Sequence, residues 1–112
     1  MTREEQRRIY RASKDAERRY ARAWGGERYG NRGQGHSDGD EACPVSLEVK
    51  RSIRARRVAS AWIEQAWTNA GREGKPPVLV IVGHNDRRPI AVVDHTWLLE
   101  LARRAGVVRE AA

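Results

Sequence analysis

Hydrophobic residues recur along the chain at two spacings, one typical of helices and one typical of strands. Apolar residues three or four positions apart predict three helices, from a capping box at Thr2 to about Trp24, from about Ile53 to Ala70, and from a cap at Asp94 or Thr96 to Gly106. Strand patterns cover 27–29, 37–41, 45–50, 78–82 and 90–93. The order α-βββ-α-β-β-α predicts one α/β domain over residues 1–112, with helices flanking a small mixed sheet. In the last helix, the spacing predicts that Trp97, Leu98, Leu101 and Ala105 face inward.

The strand at 45–50 combines an apolar face with an unusual charged face. Strand side chains alternate, so Val45, Leu47 and Val49 share one side of the sheet. Glu48 and Lys50 then lie together on the other side, and the chain continues directly into the basic segment RSIRARR. Such a triplet is usually a solvent-exposed pair on an edge strand, and it becomes informative only when other charged groups converge on it.

The charge balance restricts the class of partner. The chain carries 22 Lys and Arg against 15 Asp and Glu, a net charge of +7, which suits nucleic acid or an anionic membrane surface. The longest apolar run, VLVIV, is too short to span a membrane, and the charged N-terminus does not resemble a signal peptide. The single cysteine, Cys43, excludes an internal disulfide and a cysteine-based zinc site. These features predict a soluble cytoplasmic protein without membrane attachment.

Two aspartates precede the charged strand in the segment SDGD. If 37–41 pairs with 45–50 as a hairpin, either Asp38 or Asp40 falls beside Glu48, and alternation cannot choose between them. We choose Asp40 because strand residues follow it directly. Clustered carboxylates repel each other unless a hard divalent cation binds them, and Mg²⁺ typically takes one or two carboxylates. With Lys50 orienting a water molecule, this set suits phosphodiester hydrolysis.

The order of these residues resembles the PD-(D/E)xK nuclease superfamily, and within it the archaeal-type Holliday junction resolvases, which some phages also carry. The resemblance covers about residues 12–102. KDAERRYARA supplies Glu17, GDEACPVSLEVK supplies Asp40, Glu48 and Lys50, and WIEQAW supplies Gln65. Two departures are that Gly39 replaces the proline before the aspartate, and that the interval from Asp40 to Glu48 is short, which keeps Asp38 open as the ligand.

The resemblance implies a restriction-endonuclease-like fold and a homodimeric endonuclease that nicks two strands of a four-way DNA junction. It implies Mg²⁺ as cofactor, for which Mn²⁺ can substitute, held by Asp40, Glu48 and Glu17, with Lys50 and Gln65 completing the catalytic set. The expected DNA contacts are Arg28, Arg32, His36, Arg51, Arg54, Arg56 and Arg57.

Three alternatives remain open from the sequence. Glu17 also fits a structural ion pair with an arginine such as Arg28, because an inward-facing carboxylate needs a partner. The protein also fits another DNA repair or replication nuclease of the same superfamily. A third reading is a non-catalytic module that binds nucleic acid with the same fold.

Overall fold

The computed structural model describes residues 1–30, 35–52, 58–83 and 88–109. Within these ranges the protein is a small α/β fold with three helices and a three-stranded mixed sheet. The elements are α1 (Arg3–Ala23), β1 (Ser46–Ser52), α2 (Ser60–Glu73), β2 (Pro77–Gly83), β3 (Ile90–Val93) and α3 (His95–Arg104). None of the described helices is both long enough and apolar enough to cross a membrane.

The sheet has the order β1-β2-β3, with β2 in the middle. β1 runs parallel to β2, and their register places Glu48 opposite Leu79 and Lys50 opposite Ile81. The continuous apolar run at 78–82 therefore forms the buried central strand, as its composition predicts. β3 pairs antiparallel with β2 and spans Ile90–Val93, so the predicted pairing of these two strands is confirmed.

The two faces of the sheet have different partners. Leu47 and Val49 of β1 belong to a core cluster that includes Ala21 of α1, with Trp24 and Trp97 packed against it. Leu79 and Ile81 of β2 form a second cluster with the buried face of α2. Because side chains alternate along β1, Glu48 and Lys50 lie on the α2 side, as the sequence predicts.

Side-chain caps begin two of the helices. Thr2 and Glu5 form the predicted reciprocal capping box of α1. Asp94 accepts a hydrogen bond of 3.0 Å from the backbone N–H of Trp97, so Asp94 rather than Thr96 caps α3. The end predicted for α2 is wrong, because the helix continues through Gly71 to Glu73 and ends at Gly74 in the left-handed conformation. Of the start predicted for this helix, residues 53–57 lie outside the described residues.

Two further expectations are corrected. Among the described residues, the strands expected at 27–29 and 37–41 are reduced to one antiparallel bridge between Arg28 and Gly39. The backbone N–H of Asp38 donates to the carbonyl of Leu47 in β1. The inward placement of Leu98, Leu101 and Ala105 is also wrong: the two leucines are 49% and 38% exposed, and Ala105 is exposed as well. The inward placement of Trp97 is confirmed, because it packs against the core cluster.

Candidate functional site

Glu48 is a buried carboxylate beneath α2. Its residue is only 2% exposed, and its Oε1 accepts a hydrogen bond of 2.8 Å from Nδ2 of Asn69. Burial raises the pKa of Glu48, while the Asn69 amide and the charge of Lys50 act in the opposite direction. Lys50, two residues along the same face of β1, is half-buried and offsets part of this negative charge. The charged face of β1 is thus enclosed by a helix.

Asp38 lies at the free edge of β1, beside Glu48. Its backbone N–H donates to the carbonyl of Leu47 at 2.7 Å, and its Oδ2 accepts from the backbone N–H of Val49 at 2.7 Å. The carboxylate therefore takes the place of a neighbouring strand's carbonyl at this edge. Burial, followed by the charge of Glu48, raises the pKa of Asp38 to about 7.

Asp40 occupies a different environment, which corrects the choice made from the sequence. Its Oδ1 accepts from the backbone N–H groups of Glu27 and Ala42, each at 3.1 Å. The side chain therefore connects the segment at Glu27 to the turn at Ala42. Its carbonyl accepts from Nζ of Lys75, and its residue lines a separate pocket of about 260 Å³. Two residues earlier in the chain, Asp38 takes the position beside Glu48 that was expected for Asp40.

Glu17 approaches the site from α1 but already has a cationic partner. Its Oε2 accepts from Nε of Arg28 at 2.6 Å, and the two side chains are 23% and 14% exposed. The charge of Glu17 contributes to raising the pKa values of both Asp38 and Glu48, so Glu17 belongs to the same electrostatic cluster. The geometry favours the structural ion pair for Glu17, and Arg28 is correspondingly turned toward protein rather than solvent.

The donor set fits one hard cation with few protein ligands. Within the described ranges, no group of three or more His, Cys, Asp and Glu side chains is arranged to hold a metal ion. The half-buried Asp38 and the buried Glu48 are nevertheless two adjacent carboxylates whose pKa values are raised, and Lys50 only partly compensates them. Mg²⁺ commonly binds through one or two carboxylates and keeps several waters, so this pair is chemically suited to it.

Helix α2 contributes two polar residues that the sequence reasoning missed. Nδ2 of Asn69 also contacts the carbonyl of His36 at 3.3 Å, so one amide joins Glu48 to the loop before Asp38. One turn later, Glu73 accepts from the hydroxyl of Ser37 at 2.6 Å and from that of Ser46 at 3.1 Å. The available signal was their four-residue spacing on a helix face that also buries alanines.

The expected role of Gln65 is not supported by its position. Gln65 is exposed. Asn69, one turn later on α2, is only 3% exposed and donates a hydrogen bond to Glu48. The side-chain amide that α2 brings to Glu48 therefore belongs to Asn69 and not to Gln65.

The residues expected to bind DNA are only partly described. His36 is exposed, and its ring stacks on Tyr29 with 4.5 Å between centroids. Arg51 is half-buried at the end of β1. The remaining expected contacts lie outside the described residues: Arg32, Arg54, Arg56 and Arg57.

No protein-family model matches the chain, and no curated protein or solved structure shows significant similarity to it.

Proposed function

We propose that this protein is a Mg²⁺-dependent, structure-selective DNA endonuclease that resolves four-way junctions as a homodimer. A restriction-endonuclease-like fold and a relationship to the archaeal-type Holliday junction resolvases belong to the same proposal. The observation that carries it is the grouping of Asp38, Glu48 and Lys50 at one edge of β1. This set preserves the order aspartate, Glu-x-Lys of the PD-(D/E)xK pattern, with Asp38 in the first position.

Each residue of the set has a chemical role in this proposal. Asp38 and Glu48 would hold the cation, which when bound would supply a Lewis acid for the scissile phosphate. Lys50 donates hydrogen bonds to the attacking water and orients it, and its charge offsets the two carboxylates in the free protein. Asn69 keeps Glu48 oriented by donating a hydrogen bond to its Oε1.

The substrate class follows from the charge of the whole chain. A net charge of +7 favours a polyanion, and phosphate contacts supply most non-specific affinity for DNA. Contacts of this kind cannot read base edges over a long site. Selectivity for a branched substrate would then come from two copies of the site held at a fixed separation, and a two-fold symmetric dimer matches a junction with two-fold symmetry.

One observation favours a second candidate, a non-catalytic module that binds nucleic acid. Glu17, which the resemblance makes a third metal ligand, is bound to Arg28 at 2.6 Å. A site with two carboxylates binds a divalent cation with lower affinity than a site with three. Metal-dependent cleavage separates this candidate from both nuclease candidates.

The decisive experiment compares a four-way junction with a linear duplex of the same sequence in Mg²⁺ and in EDTA. We expect paired, symmetric nicks in the junction with Mg²⁺, little cutting of the duplex, and none with EDTA. Sedimentation of the free protein should give a dimer. Equal cutting of both substrates by a monomer would favour a generic nuclease, and binding without cutting in Mg²⁺ or Mn²⁺ would favour the non-catalytic module.

Replacing Asn69 by alanine should weaken Mn²⁺ binding by about tenfold, because the amide that orients Glu48 is lost. Calorimetric titration of Mn²⁺ in the absence of DNA measures this effect without relying on activity. The matched control is Gln65→Ala, an exposed amide one turn earlier on α2. Equal losses in the two variants would contradict the role given to Asn69.

A further inference from the structure

The first half of α1 is an exposed basic surface. Residues 1–11 are all exposed, and the α1 side chains that pack against the core come from its second half: Ala16, Tyr20 and Ala21. The exposed half and the turn after it carry five basic side chains against Glu4 and Glu5. The basic ones are Arg3, Arg7, Arg8, Arg11 and Lys14. Glu5 already serves the capping box, so the surface keeps a positive excess.

One line of side chains connects this surface to the candidate site. Arg3, Arg7, Tyr10, Lys14 and Glu17 follow one another at alternating spacings of four and three residues, which places them on one face of the helix. The line ends at Glu17, whose negative charge contributes to raising the pKa values of Asp38 and Glu48. With a rise of about 1.5 Å per residue, Arg7 lies about 15 Å and Arg3 about 21 Å from Glu17 along the axis.

Two arginines of this line, Arg3 and Arg7, are exposed and positioned to bind an anion. Among the ion pairs of the described residues, none involves Arg3 or Arg7. These two arginines line an open groove of about 450 Å³ together with Gln6 and Tyr10. Nζ of Lys14 lies over the Tyr10 ring at 4.0 Å, so its charge is held at the same face.

We propose that this face of α1 binds the phosphate backbone of a duplex arm leading away from the candidate site. The inference rests on the proposed function and identifies a binding surface for its substrate. A duplex rises about 3.4 Å per base pair along each strand, so the line from Glu17 to Arg3 spans about six base pairs. Arginine suits this task because its planar donors match phosphate oxygens in pairs.

An anionic membrane is a less suitable partner for the same helix. A helix that lies in a membrane interface presents a broad apolar face rich in Leu, Phe or Trp. In residues 1–11 the larger apolar side chains are Met1, Ile9 and Tyr10, and Tyr10 shares its helix face with Arg3 and Arg7. The basic line leads into a cluster of carboxylates, which suits a metal-bridged phosphate chain better than a lipid headgroup.

The test compares the double variant Arg3→Ala/Arg7→Ala with the control Arg103→Ala/Arg104→Ala. Both pairs remove two charges from an exposed helix end, but the control lies in the last turn of α3. Junction affinity is measured by fluorescence anisotropy in EDTA across a series of salt concentrations. We expect the slope of log K against log salt to fall by about two in the α1 variant, because two phosphate contacts are lost. The control should retain the wild-type slope.

A second measurement locates the contact on the DNA. An uncharged methylphosphonate patch about six base pairs from the cleaved bond should weaken binding of the wild type and leave the α1 variant unaffected. Equal slopes in the two double variants, or equal sensitivity of wild type and α1 variant to the patch, would overturn the inference. Loss of binding to vesicles containing phosphatidylserine, with the DNA slope unchanged, would also overturn it in favour of a membrane surface.

These outcomes separate the inference from the function on which it rests. A wild type that cleaves junctions, with an α1 variant indistinguishable from the control, rejects the α1 surface alone. If the wild-type protein neither binds nor cleaves any DNA, the proposed function is rejected, and the α1 binding surface is rejected with it.

Discussion

Glu48→Gln is expected to reduce junction cleavage by at least about a hundredfold, as is typical when one preorganised electrostatic group is removed from an active site. Glutamine keeps the size of the side chain and an oxygen that can accept the hydrogen bond from Asn69, which is now 2.8 Å long. It removes the negative charge that binds the cation. Junction affinity in EDTA should stay within a few-fold, because phosphate contacts by arginine supply most of it.

The matched control for this variant is Glu41→Gln. Glu41 is exposed, lies seven residues before Glu48, and loses the same charge. Its cleavage rate should equal that of the wild type. Lys50→Ala should lose cleavage as Glu48→Gln does, because the group that orients the water is gone. Retained cleavage in either Glu48→Gln or Lys50→Ala would reject the active-site assignment.

The part of the site on β1 could be predicted from the sequence because it depends only on alternation. Once 45–50 forms a strand, Leu47 and Val49 must take the core face, and Glu48 and Lys50 must share the other. The apolar run of β2 predicts the central strand for a similar reason, since a strand covered on both faces has no polar positions. Local pattern and burial point to the same structure in these segments.

The aspartate could not be chosen in the same way. Asp38 and Asp40 are two residues apart, so any argument from alternation places them on the same side. What separates them is tertiary: the backbone of Asp38 binds the edge of β1, and the side chain of Asp40 binds the turn at Glu27 and Ala42. This difference depends on hydrogen bonds between separate segments, from Asp38 to Leu47 nine residues later and from Glu27 to Asp40 thirteen residues later, which no local pattern encodes.

Glu73 was missed because it lies beyond the predicted end of α2 at Ala70, whereas Asn69 lies inside the predicted helix, where no apolar periodicity marks it. Gly71 is a signal for the end of a helix, but a glycine inside a helix costs only about 1 kcal/mol relative to alanine, and packing can compensate for that. The left-handed Gly74, followed by Lys75 and Pro76, is the better stop signal. With the end at Glu73, the spacing of Asn69 and Glu73 on one helix face becomes visible.

Replacing Asp38 by asparagine should abolish metal-dependent cleavage and also stabilise the metal-free protein at high pH. In the folded protein, burial and the charge of Glu48 raise the pKa of Asp38 to about 7, from 3.8 in an unfolded chain. Between these values the folded state binds more protons than the unfolded state, so the free energy of unfolding falls as pH rises. Above pH 7 the ionised carboxyl costs the fold about 4 kcal/mol.

Asparagine avoids this cost and keeps an oxygen to accept from the backbone N–H of Val49, a bond now 2.7 Å long. In EDTA, urea unfolding should give Asp38→Asn an advantage of about 1–2 kcal/mol at pH 5, where the unfolded carboxyl is already largely ionised. At pH 8 this advantage should have grown to about 4 kcal/mol. Mg²⁺ should then stabilise the wild type at pH 8 and have little effect on the variant, because ligand binding stabilises only a protein that holds the ligand.

The control for this prediction is Asp40→Asn, which makes the same substitution two residues away. Its oxygen can keep the two backbone hydrogen bonds from Glu27 and Ala42, so the variant should retain cleavage and the stabilisation by Mg²⁺. The free energy of unfolding of Asp38→Asn minus that of the wild type should grow between pH 5 and pH 8. If it does not, the pKa of Asp38 is not raised in the folded protein. If Asp40→Asn lost cleavage while Asp38→Asn remained active, Asp40 and not Asp38 would be the metal ligand. The position of Asp38 at the edge of β1 would then have no role in catalysis.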